Sequence, residues 1–318
     1  MDNMLWDSIP ALKAELEALE ELLREEFKSN GFIQAAAARL VLGGGKRLRP
    51  ALVIASAYVG NYSRDTALPV AAALEALHTA TLVHDDVIDG AETRRGMPTL
   101  HKGHGSHVAI YAGDYLLAKA VMLLSRSNLP GAELHRLASA MEAMCTGEVA
   151  QYLGRNKVPG YREYLKRIMG KTGILFASAC AAGGRSGGLD DRSTMKLWRY
   201  GMRLGAAFQI RDDLLDMEGT GAGKPTGRDL ADGIVTLPIL LAAANEDYSK
   251  MLSSFFSAGC NAEGARELLD MARNIGALER TRKVLSDEVG RSLELLCALP
   301  ESPGREMLRA VANAICQS

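Results

Sequence analysis

Two short aspartate clusters, each at the end of a long apolar segment, constrain this chain more than any other feature of its sequence. Both have the pattern Asp-Asp-x-x-Asp: the first cluster is Asp85, Asp86 and Asp89, and the second cluster is Asp212, Asp213 and Asp216. On an α-helix the outer aspartates of a cluster are four residues apart and project from one face. A glycine soon follows each cluster, which indicates a helix C-terminus, where the helix dipole is already negative. The pattern therefore predicts that both helix ends bind cations.

The composition favours helices and gives no general attraction for nucleic acid. Hydrophobic residues make up 47% of the 318 residues and aromatic residues only 5%, and abundant Ala and Leu are typical of helices. The net charge is −1, so an anion must be recognised by a local group of cations. No strand pattern, linker or long repeat is visible, and we therefore expect one all-α domain over residues 1–318.

The cysteines and the N-terminus indicate a soluble protein of a reducing compartment. The five cysteines are scattered without metal-binding or redox spacing, so we interpret them as free thiols. The N-terminus is too acidic for a signal peptide, and no apolar run approaches the length of a membrane span. We expect a cytoplasmic protein.

Apolar periodicity predicts a succession of amphipathic helices. Their approximate ranges are 5–27, a second helix ending at 42, 46–59, 68–89, 109–124, 134–153, 165–182, 192–217 and a further helix beginning at 236. A glycine-rich break is expected at Gly183–Asp191. The two aspartate clusters then end the helices predicted at 68–89 and 192–217.

Cationic side chains precede and follow the first cluster. Lys46 and Arg49 come directly after three glycines and are three residues apart, so they can converge on one anion near a helix N-terminus. A solvated basic turn is the alternative. Arg94 and Arg95 follow the cluster in a predicted loop, and the planar guanidinium suits diphosphate oxygens. They could instead merely neutralise the aspartates.

Further polar residues lie within otherwise apolar helices. His78 shares a helix face with Thr81 and Asp85, although a lone histidine on such a face is more often a core residue. Lys171 and the neighbouring Thr172 occupy a helix of small apolar residues, and a lysine is seldom buried without a partner. Hard carboxylate oxygens suit Mg²⁺, which bridges carboxylates to phosphates.

In these motifs the chain resembles the trans-isoprenyl diphosphate synthases. The two aspartate clusters, with Arg94-Arg95-Gly96 after the first, are similar to that family's two aspartate-rich motifs. Further similar motifs, in the family's order, are Gly45-Lys46-Arg47-x-Arg49-Pro50, Lys171-Thr172, Phe208-Gln209 and Gly223-Lys224-Pro225. The resemblance implies an all-α, isoprenoid synthase type bundle of antiparallel helices around a deep central cavity. It also implies Mg²⁺-dependent condensation of isopentenyl diphosphate with an allylic diphosphate.

The resemblance also implies a role for each matching residue. About three Mg²⁺ ions would be held, two by Asp85 and Asp89 and one by Asp212, with Asp86, Asp213 and Asp216 in support. The residues expected to contact the allylic diphosphate are Arg94, Lys171, Thr172, Gln209 and Lys224, and those expected to hold isopentenyl diphosphate are Lys46, Arg49, His78 and Arg95. Asp85, Asp89, Asp212 and Lys171 would be the catalytic residues.

One departure and three rival interpretations accompany the resemblance. Ile234 stands where many members have a lysine before Thr-Leu-Pro, so one allylic-site cation is missing. A terpene cyclase would not need the isopentenyl group of cations. A non-catalytic partner subunit would not need two intact aspartate clusters, and a purely structural bundle would explain none of the polar positions.

The residues just before Asp85 bear on product length. Short-chain members resembling this chain carry an aromatic residue four or five positions before the first aspartate, whereas Ala80 and Thr81 are small. Each further buried CH₂ gains about 0.8 kcal/mol, which favours continued growth over early release. The resemblance then implies a long product of roughly six to eight isoprene units (about C30–C40), with heptaprenyl favoured, for quinone side chains. A short-chain farnesyl or geranylgeranyl diphosphate synthase is the alternative. The resemblance implies a homodimer or a heterodimer with a small regulatory subunit, with at most peripheral membrane contact through the product.

Overall fold

Helices account for nearly all the regular structure in the computed structural model, which describes residues 6–28, 31–219 and 227–317. Within those ranges the chain forms sixteen α-helices, one π-helical turn and one two-stranded antiparallel hairpin. The predicted all-α class is confirmed.

The elements of the first half of the chain are α1 (Pro10–Glu26), α2 (Phe32–Leu42), α3 (Leu48–Ala57), α4 (Arg64–Ile88), β1 (Thr93–Arg94), β2 (Met97–Pro98), α5 (Leu100–His104), α6 (Ser106–Ser125) and α7 (Gly131–Leu153). The remaining elements are α8 (Tyr161–Ile168), the π-turn (Met169–Gly173), α9 (Ile174–Ser186), α10 (Asp191–Glu218), α11 (Arg228–Ala231), α12 (Leu237–Ala242), α13 (Glu246–Ser257), α14 (Ala262–Asn274), α15 (Ala277–Cys297) and α16 (Pro303–Gln317). The predicted helices 68–89 and 192–217 correspond to α4 and α10.

The chain divides into two compact units. Unit 1 comprises Met1–Leu137, Ser178–Trp198 and Leu296–Val311, and unit 2 comprises Ala138–Ala177, Arg199–Leu295 and Ala312–Ser318. The first aspartate cluster lies in unit 1 and the second in unit 2. The single domain that the sequence predicts stays a prediction.

Helix α4 forms the centre of unit 1, where it packs against α3 and α6. Its side chains Leu74, Leu77 and Ala80 are buried, and each leucine so buried stabilises the fold by about 1.5–3 kcal/mol. Near its C-terminal end, the His84 imidazole lies against Gly113 of α6, where a Cβ would fall 2.2 Å from Nε2. This close contact holds the end of α4, with its aspartates, against α6.

Gly183 and Gly184 do not break the helix, contrary to the sequence prediction of a break at Gly183–Asp191; only Gly187 and Gly188 lie in the turn that ends it. Helix α9 continues through Gly183 to Ser186. A Cβ on Gly183 would lie 2.2 Å from the carbonyl oxygen of Val53, and one on Gly187 would lie 2.4 Å from that of Ala57. These glycines therefore permit close packing against α3, and the turn begins only after Ser186.

The π-turn interrupts the single helix that the sequence predicts over 165–182. A π-turn accommodates an extra residue between two α-helical segments and so redirects the side chains that it carries. Here it carries Lys171 and Thr172. Small residues bring this segment close to α10, since a Cβ on Gly205 would lie 2.6 Å from the Cα atom of Gly173.

A separate apolar core lies in unit 2 around helices α11 to α14. Its larger buried members include Met217, Leu230, Ile239, Tyr248, Leu252 and Leu269. Met217 follows the second aspartate cluster directly, so this core fixes the C-terminal end of α10.

Two helices, α4 and α6, are long and apolar enough to cross a membrane by length and composition. The sequence prediction of no such segment is therefore wrong by that criterion. Most of the apolar window of α4 is buried inside the protein, as in a core helix, whereas only a third of the window of α6 is buried. Ile110, Tyr111, Val121 and Met122 are exposed on α6.

Candidate active site

The first aspartate cluster occupies the last turn of α4. Asp89 caps the helix, and its N–H donates to the carbonyl oxygen of Asp85 at 2.8 Å. Asp85 is half-buried and Asp89 is exposed, whereas Asp86 between them is buried. The outer pair is thus accessible at the negative end of the helix dipole, where a cation is favoured.

The hairpin of β1 and β2 supplies the partner of the middle aspartate. Its turn places Arg95 and Gly96 at positive φ, the geometry that suits a tight hairpin. Arg94 then points back to α4, where its Nε lies 2.8 and 2.9 Å from the two carboxylate oxygens of Asp86. Its Nη2 lies 2.8 Å from Oδ1. Asp86 is therefore neutralised by the protein itself, as the alternative interpretation of the arginines required.

The second cluster has the same arrangement near the end of α10, with different partners. Asp212 and Asp216 are half-buried, and Asp213 is buried. Asp213 accepts hydrogen bonds from the Tyr164 hydroxyl at 2.7 Å and from the Leu237 N–H at 3.0 Å. Burial raises the pKa of Asp213 by more than these hydrogen bonds lower it. This carboxylate is held by uncharged donors alone.

The clusters fit hydrated magnesium better than a closed protein cage. No group of three or more His, Cys, Asp or Glu side chains within residues 6–28, 31–219 and 227–317 converges as a ready metal site. Each cluster instead offers an outer aspartate pair with oxygen donors only. Mg²⁺ is commonly bound by one or two carboxylates and completes its octahedron with water and phosphate oxygens. The donor set therefore fits Mg²⁺ bound together with a diphosphate.

The π-turn connects its polar residues to the second cluster. The Thr172 hydroxyl donates to the Gln209 side-chain oxygen at 2.8 Å, and the Gln209 amide donates to Asp213 at 3.1 Å. Lys171 makes an ion pair with Glu148, with 2.8 Å between Nζ and Oε1. Unit 2 thus brings together three predicted allylic-site residues, and it pairs the lysine with a carboxylate that sequence reasoning missed.

Two of the predicted isopentenyl residues, Arg49 and Arg95, act electrostatically on a third, His78, in unit 1. Burial lowers the pKa of His78 well below its ordinary value, and the charges of Arg49, Arg95 and Arg94 lower it further. Arg95 also donates to the carbonyl oxygen of Gly44, in the glycine turn that precedes Lys46. His78 is accordingly a neutral side chain among cations, a setting that an anion would complete.

The two predicted chain-length residues differ in accessibility. Ala80 is fully buried, and Thr81 is half-buried, with its hydroxyl donating to the carbonyl oxygen of His78 at 2.8 Å. His78, Thr81 and Asp85 are all half-buried, whereas Leu74 on the same predicted face is fully buried. The accessible part of this face therefore runs from His78 to Asp85.

Comparison with known proteins settles the family. A family model described as polyprenyl synthetase matches residues 30–270. The chain belongs to the polyprenyl synthetase family. It is therefore a prenyltransferase, as the aspartate clusters and their accompanying motifs led us to expect.

Related proteins cover nearly the full length of this synthase. The heptaprenyl diphosphate synthase component 2 of Geobacillus stearothermophilus is 37% identical over 98% of this chain and 96% of its own. The crystal structure of heptaprenyl diphosphate synthase from Staphylococcus aureus matches with a TM-score of 0.91 and 30% identity, over 96% of this chain and 98% of that one. A geranylgeranyl pyrophosphate synthase from Lactobacillus brevis matches with a TM-score of 0.90 and 28% identity over all of both chains. The isoprenoid synthase fold is confirmed, and it is common to synthases named for different product lengths.

Ile234 stands where many family members have a lysine, and the structure describes its surroundings only in part. Ile234 is half-buried, and its N–H donates to the carbonyl oxygen of Asp229 at 2.8 Å. Lys224, the other predicted cation of this region, lies outside the described residues. Burial and the charges of Asp216 and Asp213 raise the pKa of Asp229 to about 7, while Lys171 lowers it.

Sequence reasoning missed four residues at the site. Glu148 and Asp229 add carboxyl groups beside Lys171 and the second cluster, and Tyr164 and Arg47 each bind a buried carboxylate. Asp229 could have been suspected from its place after the glycine-rich loop. The others depend on contacts between distant segments, which no local pattern reveals.

Proposed function

We propose that this synthase joins isopentenyl diphosphate head to tail to an allylic diphosphate and makes a long-chain all-trans polyprenyl diphosphate for quinone side chains. The observation that carries the proposal is the common arrangement of the clusters. In each, a buried middle aspartate is held by the protein while the outer pair stays accessible. Such an arrangement places carboxylates rigidly for metal ions that arrive with the substrate.

The outer aspartates are the proposed metal ligands. Asp85 and Asp89 would hold two Mg²⁺ ions and Asp212 a third, supported by Asp216. When bound, Mg²⁺ would neutralise the allylic diphosphate and improve it as a leaving group. Asp86 and Asp213 support the metal site indirectly in this proposal. Their bonds to neighbouring residues hold the helix ends that carry the outer aspartates.

The cationic and polar side chains bind the two diphosphates. Lys171 would give up part of its ion pair with Glu148 to bind the allylic diphosphate. The other proposed contacts of that diphosphate are Thr172, Gln209, Arg94 and Lys224, of which Lys224 lies outside the described residues. Stabilising the negative charge that develops on the leaving group is the main contribution of these residues.

The second substrate lies among the cations of unit 1. Lys46, Arg49, Arg95 and neutral His78 would hold isopentenyl diphosphate so that its double bond attacks C1 of the allylic cation. The bond from C1 to the diphosphate oxygen breaks first and leaves this cation, and the attack then forms the new carbon–carbon bond. The released diphosphate then takes the proton whose loss forms the new double bond.

Incorporation of labelled isopentenyl diphosphate tests this reaction. Purified enzyme with farnesyl diphosphate and Mg²⁺ should incorporate label, and it should stop when the metal is chelated. A terpene cyclase would release diphosphate from the allylic substrate equally well without isopentenyl diphosphate. Release that is independent of isopentenyl diphosphate would therefore overturn the proposed condensation.

Product length is proposed from the small residues before Asp85. Ala80 and Thr81 leave room for an apolar chain, and relatives named heptaprenyl diphosphate synthases support a C35 product within the expected range. Thr81→Phe should shorten the product toward farnesyl or geranylgeranyl diphosphate, as thin-layer analysis would show. Ser253→Phe is a matched control, because Ser253 is an exposed helical residue with a similar hydroxyl-to-carbonyl bond on α13. A wild-type enzyme that stops at geranylgeranyl diphosphate would favour the short-chain alternative.

We further propose a cytoplasmic homodimer, with an unlike small subunit as the alternative. The exposed apolar side chains of α6 support an association surface, and the Geobacillus relative is named as one component of its enzyme. The described cysteines are free thiols, which fits a reducing compartment. Light scattering and assay of the chain purified alone would test this: full activity as a dimer removes the need for a second protein.

A further inference from the structure

The glycine turn before Lys46 has an unusual backbone that something must hold in place. Gly44 and Gly45 have φ values of 83° and 143°, and Arg47, which is not a glycine, has φ 49° and ψ 35°. A residue with a side chain is strained in this left-handed region, and the conformation persists only when surrounding contacts impose it. Arg47 also caps the N-terminus of α3, so its conformation fixes the start of that helix.

The Arg47 side chain makes the contacts that impose this conformation. It is only 1% exposed. Its Nε donates to Glu20 of α1 at 2.7 Å, its Nη1 to Glu75 of α4 at 2.6 Å, and its Nη2 to the carbonyl oxygen of Val41 in α2 at 2.8 Å. One guanidinium therefore joins three helices beneath the turn, and the bonds to carboxylates are of the strong, charge-assisted kind.

The positive charge of Arg47 is already balanced within the protein. Burial lowers the pKa of its guanidinium, but the charges of Glu75 and Glu20 outweigh burial and hold that pKa above its usual value. Arg47 is thus charged, and its guanidinium is bound to two carboxylates and a carbonyl group. Its neighbours Lys46, which is exposed, and Arg49, which is half-buried, are more accessible to an anion than Arg47.

A second contact fixes the backbone of Lys46. The indole Nε1 of Trp6, a buried residue, donates to the carbonyl oxygen of Lys46 at 3.1 Å. Glu75 also lies one helical turn before His78 on α4, so the carboxylate that binds Arg47 shares a helix with a predicted isopentenyl residue. Trp6 therefore holds the backbone of the turn, and Arg47 connects the turn to α4, the helix that carries His78.

We propose that Arg47 is a positioning residue for the isopentenyl diphosphate pocket, with Trp6, Glu20 and Glu75 as its supports. It sets where Lys46 and Arg49 lie relative to His78 without touching the substrate. This inference rests on the proposed function, which assigns those three residues to isopentenyl diphosphate. It implies that removing the Arg47 contacts weakens the binding of isopentenyl diphosphate and not that of the allylic substrate.

The test is the Michaelis constant for each substrate in Arg47→Lys. Lysine keeps the charge but cannot reach three partners at once. The KM for isopentenyl diphosphate should rise about tenfold, equivalent to about 1.4 kcal/mol of binding, while the KM for the allylic substrate changes less than about twofold. Arg64→Lys is the matched control, since Arg64 also binds a buried glutamate of unit 1, Glu15, through two N–H groups. That control should change neither constant.

Glu20→Gln provides a milder variant in case Arg47→Lys does not fold. It removes one carboxylate from Arg47 and leaves Glu75 in place, and it should raise the KM for isopentenyl diphosphate about threefold, a small loss of binding free energy. Lys46→Ala distinguishes the assignment of the isopentenyl diphosphate pocket from the positioning role of Arg47. If Lys46→Ala raises this KM and the Arg47 and Glu20 variants do not, the positioning role is overturned and the pocket stands. If Lys46→Ala leaves it unchanged, the pocket assignment fails and the positioning role fails with it.

Trp6 gives an independent optical readout. The chain has two tryptophans, so Trp198→Phe leaves Trp6 as the sole indole. Isopentenyl diphosphate should change its emission with a Kd that rises in the Glu20→Gln background. A Kd that is the same in both backgrounds would overturn the role of these contacts in positioning the pocket.

Discussion

The two aspartate clusters share a pattern and a place near a helix end, yet the charged and polar groups around them differ. Around the first cluster, Arg94 neutralises Asp86, and further cations lower the pKa of His78. Around the second, Asp213 is held by uncharged donors, and Asp229 adds a carboxyl group whose pKa is raised to about 7 by burial and by Asp216 and Asp213. Several arginines thus act on the surroundings of the first cluster, whereas the second cluster has a further carboxyl group beside it, with Arg167 and Lys171 as nearby cations.

This difference indicates a division of labour within each cluster. The middle aspartate anchors the helix end, by an ion pair in unit 1 and by neutral hydrogen bonds in unit 2. In the proposed function the outer aspartates bind metal ions and, through them, the diphosphate. Substitutions can separate the two roles, because an anchor should affect stability and a ligand should affect turnover.

Loss of an outer aspartate should have the largest effect on activity. Asp85→Asn and Asp212→Asn should each lower kcat about 10²–10³-fold, since each removes a charge that holds the metal at the leaving group. Their Tm values should stay within about 2 °C of the wild type, because these side chains are only half-buried. Initial rates at saturating Mg²⁺ together with calorimetry check both parts. Near-normal turnover in either variant would break the proposed division.

Loss of a middle aspartate should be most destabilising in unit 2. Asp213→Ala orphans the buried Tyr164 hydroxyl and Leu237 N–H and should cost about 2–4 kcal/mol. Asp86→Ala leaves the partly exposed Arg94 able to find water and should cost about 1–2 kcal/mol. Urea unfolding measures both free energies. If the two losses are equal, or if Asp86→Ala loses more, then charge pairing rather than burial determines how much a middle aspartate stabilises the protein.

The acidic surroundings of the second cluster should appear in the pH dependence of stability. The pKa of Asp229 is raised from 3.8 to about 7 in the folded protein. The contribution of its carboxyl group to folding stability is therefore fully present below the lower value and is lost as the pH rises through the higher one. Without Mg²⁺, Asp229→Asn should therefore gain on the order of 2–4 kcal/mol on the wild type between about pH 4 and about pH 8, since each unit of pKa shift corresponds to about 1.4 kcal/mol. Unfolding at several pH values tests this. If the difference in unfolding free energy between the variant and the wild type does not change with pH, the pKa of Asp229 is not raised.

The sequence predicted the helices and the chemistry better than the supporting contacts. The ends of α4 and α10 could be predicted because a periodic apolar face stops at a polar cluster and a glycine. The π-turn could not, since its extra residue leaves Lys171 and Thr172 in an ordinary helical pattern. The glycines from Gly183 were misread because a glycine needed for close packing looks the same in sequence as one needed for a turn.

The partners of buried charges could not be predicted for a similar reason. Arg47 binds carboxylates 27 and 28 residues away in the chain, and the spacing carries no signal of that pairing. Arg94 is predicted to contact the allylic diphosphate, and the sequence does not show that its guanidinium also binds Asp86 in the folded chain. Sequence patterns identify which residues carry charge, and only packing determines which charges are already paired.

The most direct test of the division is thermal stabilisation by Mg²⁺ with inorganic diphosphate. At about 100 times the Kd this ligand pair should add about 2.7 kcal/mol to wild-type stability, a rise of about 5 °C in Tm. Asp85→Asn and Asp212→Asn should lose most of the rise while keeping the wild-type starting Tm. Asp86→Ala and Asp213→Ala should start lower and keep the rise. If the outer variants keep the shift and the middle variants lose it, the assignment of anchors and ligands is contradicted.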